Sequence, residues 1–163
     1  MRKRVLWVVL GLILVVANFS IAGKERVLRE GQTVLLQLAP QDPRSLMQGD
    51  FMALRYVLAN EVRGQLGGRE SGDGRIVVIL DQNDIATLVR LDDGSDLMSG
   101  ELLLRYRKRG AGVRIASEAF FFEEGQGPLY QNARYGELRV DAAGNAVLWR
   151  LRDRDLRELG PDS

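Results

Sequence analysis

Hydrophobic and polar positions divide the chain into one long apolar run at its start and short alternating segments after it. The run, Val5 to Ala22, is 18 residues long, is interrupted only by Asn18 and Ser20, and follows three basic residues at positions 2–4. As a helix it would rise ~27 Å, close to the ~30 Å of a bilayer's hydrocarbon core. Basic residues before such a run keep the start of the chain in the cytoplasm. The pattern predicts an uncleaved signal-anchor over residues 1–22, that is, a single transmembrane helix with the rest of the chain on the extracytoplasmic side.

A removed signal peptide is the alternative to this anchor. Ser20-Ile21-Ala22 places small residues at the two positions that a signal peptidase reads. Cleavage would leave a soluble periplasmic domain. The apolar run is, however, longer than the ~7–15 residues of an ordinary signal peptide, which favours an anchor.

The strongest alternation after the anchor lies between Leu36 and Leu58. Pro40 and Pro43 fix their own φ and end a first strand that begins at Thr33. Gly49 allows a sharp turn before a second strand. In that second strand one face carries Met52, Leu54, Tyr56 and Leu58. The pattern predicts a half-buried strand over residues 50–58.

Further alternation and turn residues predict a mainly β domain over residues 23–151. The predicted strands cover residues 33–39, 50–58, 75–81, 85–91, 101–107, 113–122, 138–140 and 146–151. Residues 61–74 contain five glycines and are expected to form an exposed loop, whereas residues 125–133 are expected to form one or two helical turns. About eight strands with short connections predict an antiparallel sandwich or a partly open barrel. The charged tail, residues 152–163, is interpreted as a helical end or as disordered.

Five residues of the second strand and its turn resemble the signature of the bacterial GDYXXLXY family, written here as GDFMALRY. They are Gly49, Asp50, Phe51, Leu54 and Tyr56. The similarity extends through residues 38–46, 121–127 and 140–146. The resemblance implies a membrane-associated bacterial protein and no known reaction.

Composition removes several classes of function. The chain has no His and no Cys, which excludes Ser-His-Asp triads, cysteine nucleophiles and His/Cys zinc sites. Carboxylate pairs, Ser-Lys dyads and oxygen-ligated metals remain open. Without the three basic residues at its start the chain has a net charge of −2. We therefore expect neither the basic stripe of a nucleic-acid-binding protein nor a cofactor.

The signature loop is the first candidate site. Asp50 could act as an acid or a metal ligand beside Asp42, and Arg44 could pair with either carboxylate. A carboxylate after a turn glycine more often accepts backbone N–H groups and holds the loop, here the loop between Pro43 and Gly49. Tyr56, on the apolar face, is expected to be a core ring with a satisfied hydroxyl group.

The second candidate site follows the run of three phenylalanines, Phe120 to Phe122. Glu123, Glu124, Gly125 and Gly127 follow directly. Adjacent strand residues face opposite ways, so two neighbouring carboxylates make a poor Ca²⁺ site, which needs six or more oxygens. A strand end entering a glycine-rich turn is the simpler interpretation. Consecutive phenylalanines cannot all point inward, so the outward rings could contact a partner.

Together these patterns predict a non-catalytic accessory or interaction module beside a polytopic membrane protein. The two candidate sites would form its contact surface. The alternative is a domain that binds or hydrolyses envelope glycans or peptides with Asp50, Glu123 and Glu124. That alternative requires the three carboxylates to meet in one cleft, and glycoside hydrolysis needs a pair ~5–9.5 Å apart.

Overall fold

The computed structural model describes residues 2–40, 51–67 and 72–161, without the side chains of residues 2–6, 8 and 20. Three helices and ten strands form the described part of the chain. The helices are α1 (Arg2–Glu30), α2 (Val57–Leu66) and α3 (Gly127–Tyr130). The strands are β1 (Gln32–Gln37), β2 (Phe51–Ala53), β3 (Gly72–Leu80), β4 (Ala86–Leu91), β5 (Glu101–Arg109), β6 (Gly112–Ile115), β7 (Ala119–Phe121), β8 (Tyr135–Val140), β9 (Ala146–Arg152) and β10 (Glu158–Leu159).

The strands form two four-stranded sheets and one two-stranded ribbon. One sheet has the order β1-β8-β9-β10, the other has the order β4-β3-β5-β6, and β2 pairs with β7. Within each sheet every pair of neighbouring strands is antiparallel. The two larger sheets meet where Leu35 N–H donates to the carbonyl of Asp84 at 2.8 Å. The prediction of a mainly β, antiparallel fold is confirmed.

The core is built from the inward positions of both larger sheets. Its most completely buried side chains include Leu36, Ile76, Leu104, Ile115, Leu138 and Leu151. Strand β3 lies between β4 and β5, and three consecutive residues in it, Ile76 to Val78, are buried. This confirms the prediction of a central strand that is covered on both faces.

Helix α2 corrects two of the sequence predictions. Residues 57 and 58 were predicted to end a strand and residues 61–74 to form an exposed loop, but the chain is helical from Val57 to Leu66. Leu58, Val62 and Leu66 are spaced four apart and all three are buried. Burying each such side chain contributes ~1.5–3 kcal/mol, which outweighs the ~1 kcal/mol cost of a mid-helix glycine at Gly64. The glycine content of the segment obscured this spacing.

The C-terminal tail is also different from its prediction. Strand β9 continues to Arg152, and β10 then returns antiparallel to it. The Asp153 carboxylate accepts the N–H groups of Asp155 and Arg157 at 2.8 and 2.9 Å, which holds the turn between the strands. This part of the tail therefore forms a tight hairpin, because the Asp153 carboxylate satisfies backbone donors locally.

Helix α1 runs without interruption to Glu30, and Gly31 separates it from β1. A Cβ atom at Gly31 would collide with the carbonyl oxygen of Val27 and would lie 3.0 Å from the backbone nitrogen of Val140. Only glycine permits this close packing of the helix end on β8. Among the described residues, no helix combines the length and the hydropathy that crossing a membrane requires.

Candidate interaction site

Part of the signature loop lies outside the described residues. This applies to Pro43, Arg44, Gly49 and Asp50, as well as to Asp42. The roles predicted for these residues therefore stay predictions. The rest of the signature, from Phe51 to Tyr56, is described.

Phe51 opens the ribbon formed by β2 and β7. It lies opposite Phe121 in the antiparallel register, and the two ring centroids are 5.8 Å apart. Phe121 is 73% exposed, whereas the Phe51 side chain is partly buried. The ribbon thus presents an aromatic pair to solvent directly after the undescribed residues of the signature loop.

The orientations of the three phenylalanines follow from strand alternation. Phe120 and Phe122 pack against the buried ring of Tyr130, with centroid distances of 5.0 and 5.4 Å. Phe121, between them, faces the other way. The prediction that the three rings cannot all point inward is confirmed, and Phe121 is the exposed one.

Leu54 and Tyr56 fix the signature to the core. Both are 2% exposed, and Leu54 N–H donates to the carbonyl of Glu118 at 2.7 Å. The Tyr56 hydroxyl donates to the carbonyl of Ser117 at 3.0 Å. Burial, assisted by the nearby negative charge of Glu118, raises the pKa of Tyr56 well above its usual value. Tyr56 is therefore a neutral core residue with a satisfied hydroxyl group, as predicted.

Gly136, on β8, makes room for this ring, which sequence reasoning did not anticipate. A Cβ atom at Gly136 would lie 3.1 Å from Cε1 of Tyr56 and 3.3 Å from Cδ1 of Leu148. The signature tyrosine is thus matched by a glycine 80 positions later in the chain. No local pattern links the two residues, because their contact depends on the sheet topology.

The acidic residues after β7 form an exposed turn. Both Glu123 and Glu124 are exposed, Gly125 has a φ of +83°, and Gly127 is buried at the start of α3. The Glu123 carboxylate accepts the side-chain amide of Gln126 at 3.0 Å, and the Glu123 carbonyl accepts the Gln126 N–H at the same distance. This geometry agrees with the turn interpretation. The described part of the chain contains no group of three or more potential ligands that could hold a metal ion.

A large groove is lined by the C-terminal part of α1, by β3, β5 and β6, and by the β8–β9 hairpin. Its volume is about 1970 Å³. One part of its wall is apolar and includes Phe19, Phe120 and Phe121. Neither Glu123 nor Glu124 lines it. The groove therefore includes Phe121 of the aromatic pair but neither Phe51 nor the acidic turn.

Five arginines from three adjacent strands line this groove, namely Arg75, Arg105, Arg107, Arg109 and Arg114. The near-neutral composition had predicted no such grouping. Part of the signal was present in the sequence, because residues 105, 107 and 109 alternate and therefore share one face of β5. The contributions of β3 and β6 could not be read from the sequence, because they depend on the register between strands.

The fold and the site together define a class of protein, a mainly β domain that follows a long N-terminal helix and in which Leu54 and Tyr56 are buried in the core. The chain belongs to the GDYXXLXY protein family, whose model matches residues 13–151. No curated protein and no solved structure is significantly similar to it.

Proposed function

We propose that this chain is a non-catalytic interaction module of a bacterial inner membrane. In this proposal α1 is a transmembrane anchor, and the β domain contacts a polytopic membrane protein on the periplasmic side. The observation that carries the proposal is the apolar surface of α1, which the rest of the described chain leaves uncovered.

Apolar side chains are exposed on all sides of α1. Trp7, Leu12 and Phe19 are 73%, 63% and 79% exposed, and successive helical residues are rotated by about 100°. Every described side chain from Val9 to Phe19 is exposed. A helix that is apolar on all sides is stable when lipid or protein surrounds it. The full apolar run, Val5 to Ala22, includes a few positions whose side chains are not described.

Asn18 is the one polar residue between Val9 and Phe19, and its side chain hydrogen-bonds within the helix itself. The Asn18 side-chain amide donates to the carbonyl of Leu14 at 2.8 Å. Internal hydrogen bonds of this kind lower the cost of placing a polar group in hydrocarbon, where water is absent. The basic residues at positions 2–4 favour a cytoplasmic start and hence a periplasmic β domain.

The contact surface that we propose combines the Phe51–Phe121 pair with the signature loop before it. An isolated exposed apolar residue is ordinary, but a pair of aromatic rings beside a loop is typical of a contact patch. Aromatic residues are enriched at the centres of protein interfaces. Because α1 would confine the domain to the membrane surface, another membrane protein is the partner that this geometry favours.

Removal of residues 1–22 tests the anchor. We expect the truncated chain to appear in the soluble periplasmic fraction when it is exported behind a cleavable signal peptide. The full-length chain should stay with the membrane after alkaline carbonate washing, because lipid covers its apolar helix. Release of the intact full-length chain by the carbonate wash would contradict the anchor, and its size on the gel distinguishes this outcome from signal-peptide cleavage.

A Phe121→Ser substitution tests the contact surface. We expect the tagged full-length variant, extracted in mild detergent from its own bacterium, to lose a co-purifying polytopic membrane protein that the unchanged chain retains. The loss should be at least tenfold, because truncation of an aromatic anchor typically costs 2 kcal/mol or more.

Met98→Ser is the matched control for this variant. Met98 has the same 73% exposure but lies in the β4–β5 connection, outside the groove. It should retain the partner. Equal recovery of the partner with Phe121→Ser and with the unchanged chain would refute this contact surface.

A further inference from the structure

We propose that the arginine-lined groove binds the phosphate headgroup of an anionic phospholipid from the membrane that holds α1. This inference rests on the proposed anchor and assigns a ligand to a groove that shares Phe121 with the surface proposed for the protein partner. It is carried by the charge pattern of the groove and by the position of the groove at the end of the apolar helix.

The register of the strands brings like charges together. Arg75 lies directly opposite Arg105, and Arg107 lies directly opposite Arg114 on β6 and opposite Asp73 on β3. Directly opposed residues on an antiparallel pair have Cβ atoms only ~4.5–5.5 Å apart, and like charges in such pairs are destabilising. A fold that keeps two such pairs side by side in one groove is well suited to an anion, which would relieve the repulsion.

Most of the neighbouring arginines already have partners. Arg75 pairs with Asp92 at 2.7 Å, Arg109 with Asp73 at 2.9 Å, and Arg114 with Glu118 at 2.7 Å. These ion pairs hold three guanidinium groups in place, and each leaves donors unused, because a guanidinium has five N–H groups.

Arg107 stands at the centre of this arrangement. Its side chain is exposed, and its guanidinium makes no hydrogen bond or ion pair with any described residue. The guanidinium of Arg105 donates to a neutral group, the carbonyl of Ala143, at 3.2 Å and pairs with no acidic residue in the described part of the chain. Seven basic and five acidic side chains line the groove, which gives it a net charge of +2. Arginine binds phosphate well because its planar fork can donate two parallel hydrogen bonds.

The groove also contains the apolar surface that a lipid would contact. It extends along α1 from Phe19 to Lys24 and Arg26, which is the point where the apolar run gives way to charged residues. If α1 is inserted, this transition lies at the depth of the lipid headgroups. Phe19 and Phe121 line the same groove. A phospholipid whose phosphate is bound by the arginines would therefore have its acyl chains beside aromatic rings.

The test uses the full-length chain in nanodiscs of phosphatidylcholine, alone or with phosphatidylglycerol as a minor component. Native mass spectrometry then counts the lipids that stay bound to the released protein. We expect phosphatidylglycerol to be retained in preference to phosphatidylcholine. In Arg107→Gln that preference should fall about fivefold, the effect of one basic residue near an anionic lipid surface.

Arg63→Gln is the matched control, because Arg63 is exposed on α2 and lies outside the groove. It removes the same charge from the protein and should leave the preference unchanged. Equal losses in both variants would show a response to net charge only and would overturn the site. Since Arg107 has no partner within the described chain, its variant should fold normally, which circular dichroism would verify.

Two further outcomes separate this inference from alternatives. If glycerol 3-phosphate abolishes phosphatidylglycerol retention as effectively as excess phosphatidylglycerol does, the site recognises free phosphate and the lipid assignment is wrong. If the chain stays in neutral nanodiscs but shows no lipid preference, the anchor stands and this inference fails. A chain that leaves the nanodiscs altogether would overturn both proposals.

Discussion

Replacing Tyr56 by alanine is expected to lower the free energy of unfolding by about 3–5 kcal/mol, the usual cost of removing a buried aromatic ring. The ring is 2% exposed and lies against Gly136 on β8. Strand β8 cannot move easily to close the resulting cavity, because it is paired with β1 on one side and with β9 on the other. Most domains have only ~5–15 kcal/mol of stability, so a large share would be lost. Denaturant unfolding followed by far-ultraviolet circular dichroism would measure the change.

The Tyr56→Phe variant is the control, because it keeps the ring and removes only the hydroxyl group. We expect a loss of about 1 kcal/mol, the net value of the hydrogen bond to Ser117. A loss in Tyr56→Ala no larger than in Tyr56→Phe would contradict the core role of the ring.

The unchanged chain and the Tyr56→Phe variant should also differ in how their stability responds to alkaline pH. Burial raises the pKa of Tyr56 in the folded state, so the folded chain keeps a proton that the unfolded chain releases above about pH 10. The corresponding stability is present below that pH and falls as the pH rises. The Tyr56→Phe variant lacks this contribution and should lose less stability above pH 10 than the unchanged chain.

Local pattern predicted burial better than it predicted secondary structure. Met52, Leu54, Tyr56 and Leu58 are all buried, as their alternation indicated, yet within the described residues 51–58 only residues 51–53 form a strand. In the helix that begins at Val57, the buried residues are spaced four apart instead of two apart. Leu58 is buried in both the strand pattern and the helix pattern, so alternation alone could not show where the strand ends.

The candidate sites show the same limit at longer range. The exposed position of Phe121 followed from alternation, because its two neighbours had to share the opposite face. The arginine groove did not follow, since Arg75 and Arg114 meet the arginines of β5 only through a register that no single segment encodes. The packing of Tyr56 on Gly136 is another contact of this kind. The sequence pattern thus predicts which side chains share a face of a strand. A site that is assembled from several strands can be located only when the register between those strands is known.

Replacing Arg152 by methionine is expected to lower the free energy of unfolding by about 3 kcal/mol, near the lower end of the ~3–5 kcal/mol typical of a broken buried ion pair. Arg152 Nε lies 2.7 Å from the carboxylate of Glu137, and the Glu137 side chain is only 4% exposed. Methionine would leave that carboxylate buried without its partner. It would also remove the 2.6 Å hydrogen bond to the Leu156 carbonyl, which ties the last hairpin to β9.

The reciprocal variant should cost less, because the two partners are not equally buried. In Glu137→Leu the remaining guanidinium is 28% exposed and can reach water, so we expect a loss of about 1 kcal/mol. The double variant should be more stable than Arg152→Met alone, because no unpaired charge stays buried. Thermal and denaturant unfolding of all four proteins forms a double-mutant cycle. Strictly additive losses would show that the two side chains are independent, and the hairpin would then be held by its backbone hydrogen bonds and by Leu151, which is fully buried beneath it.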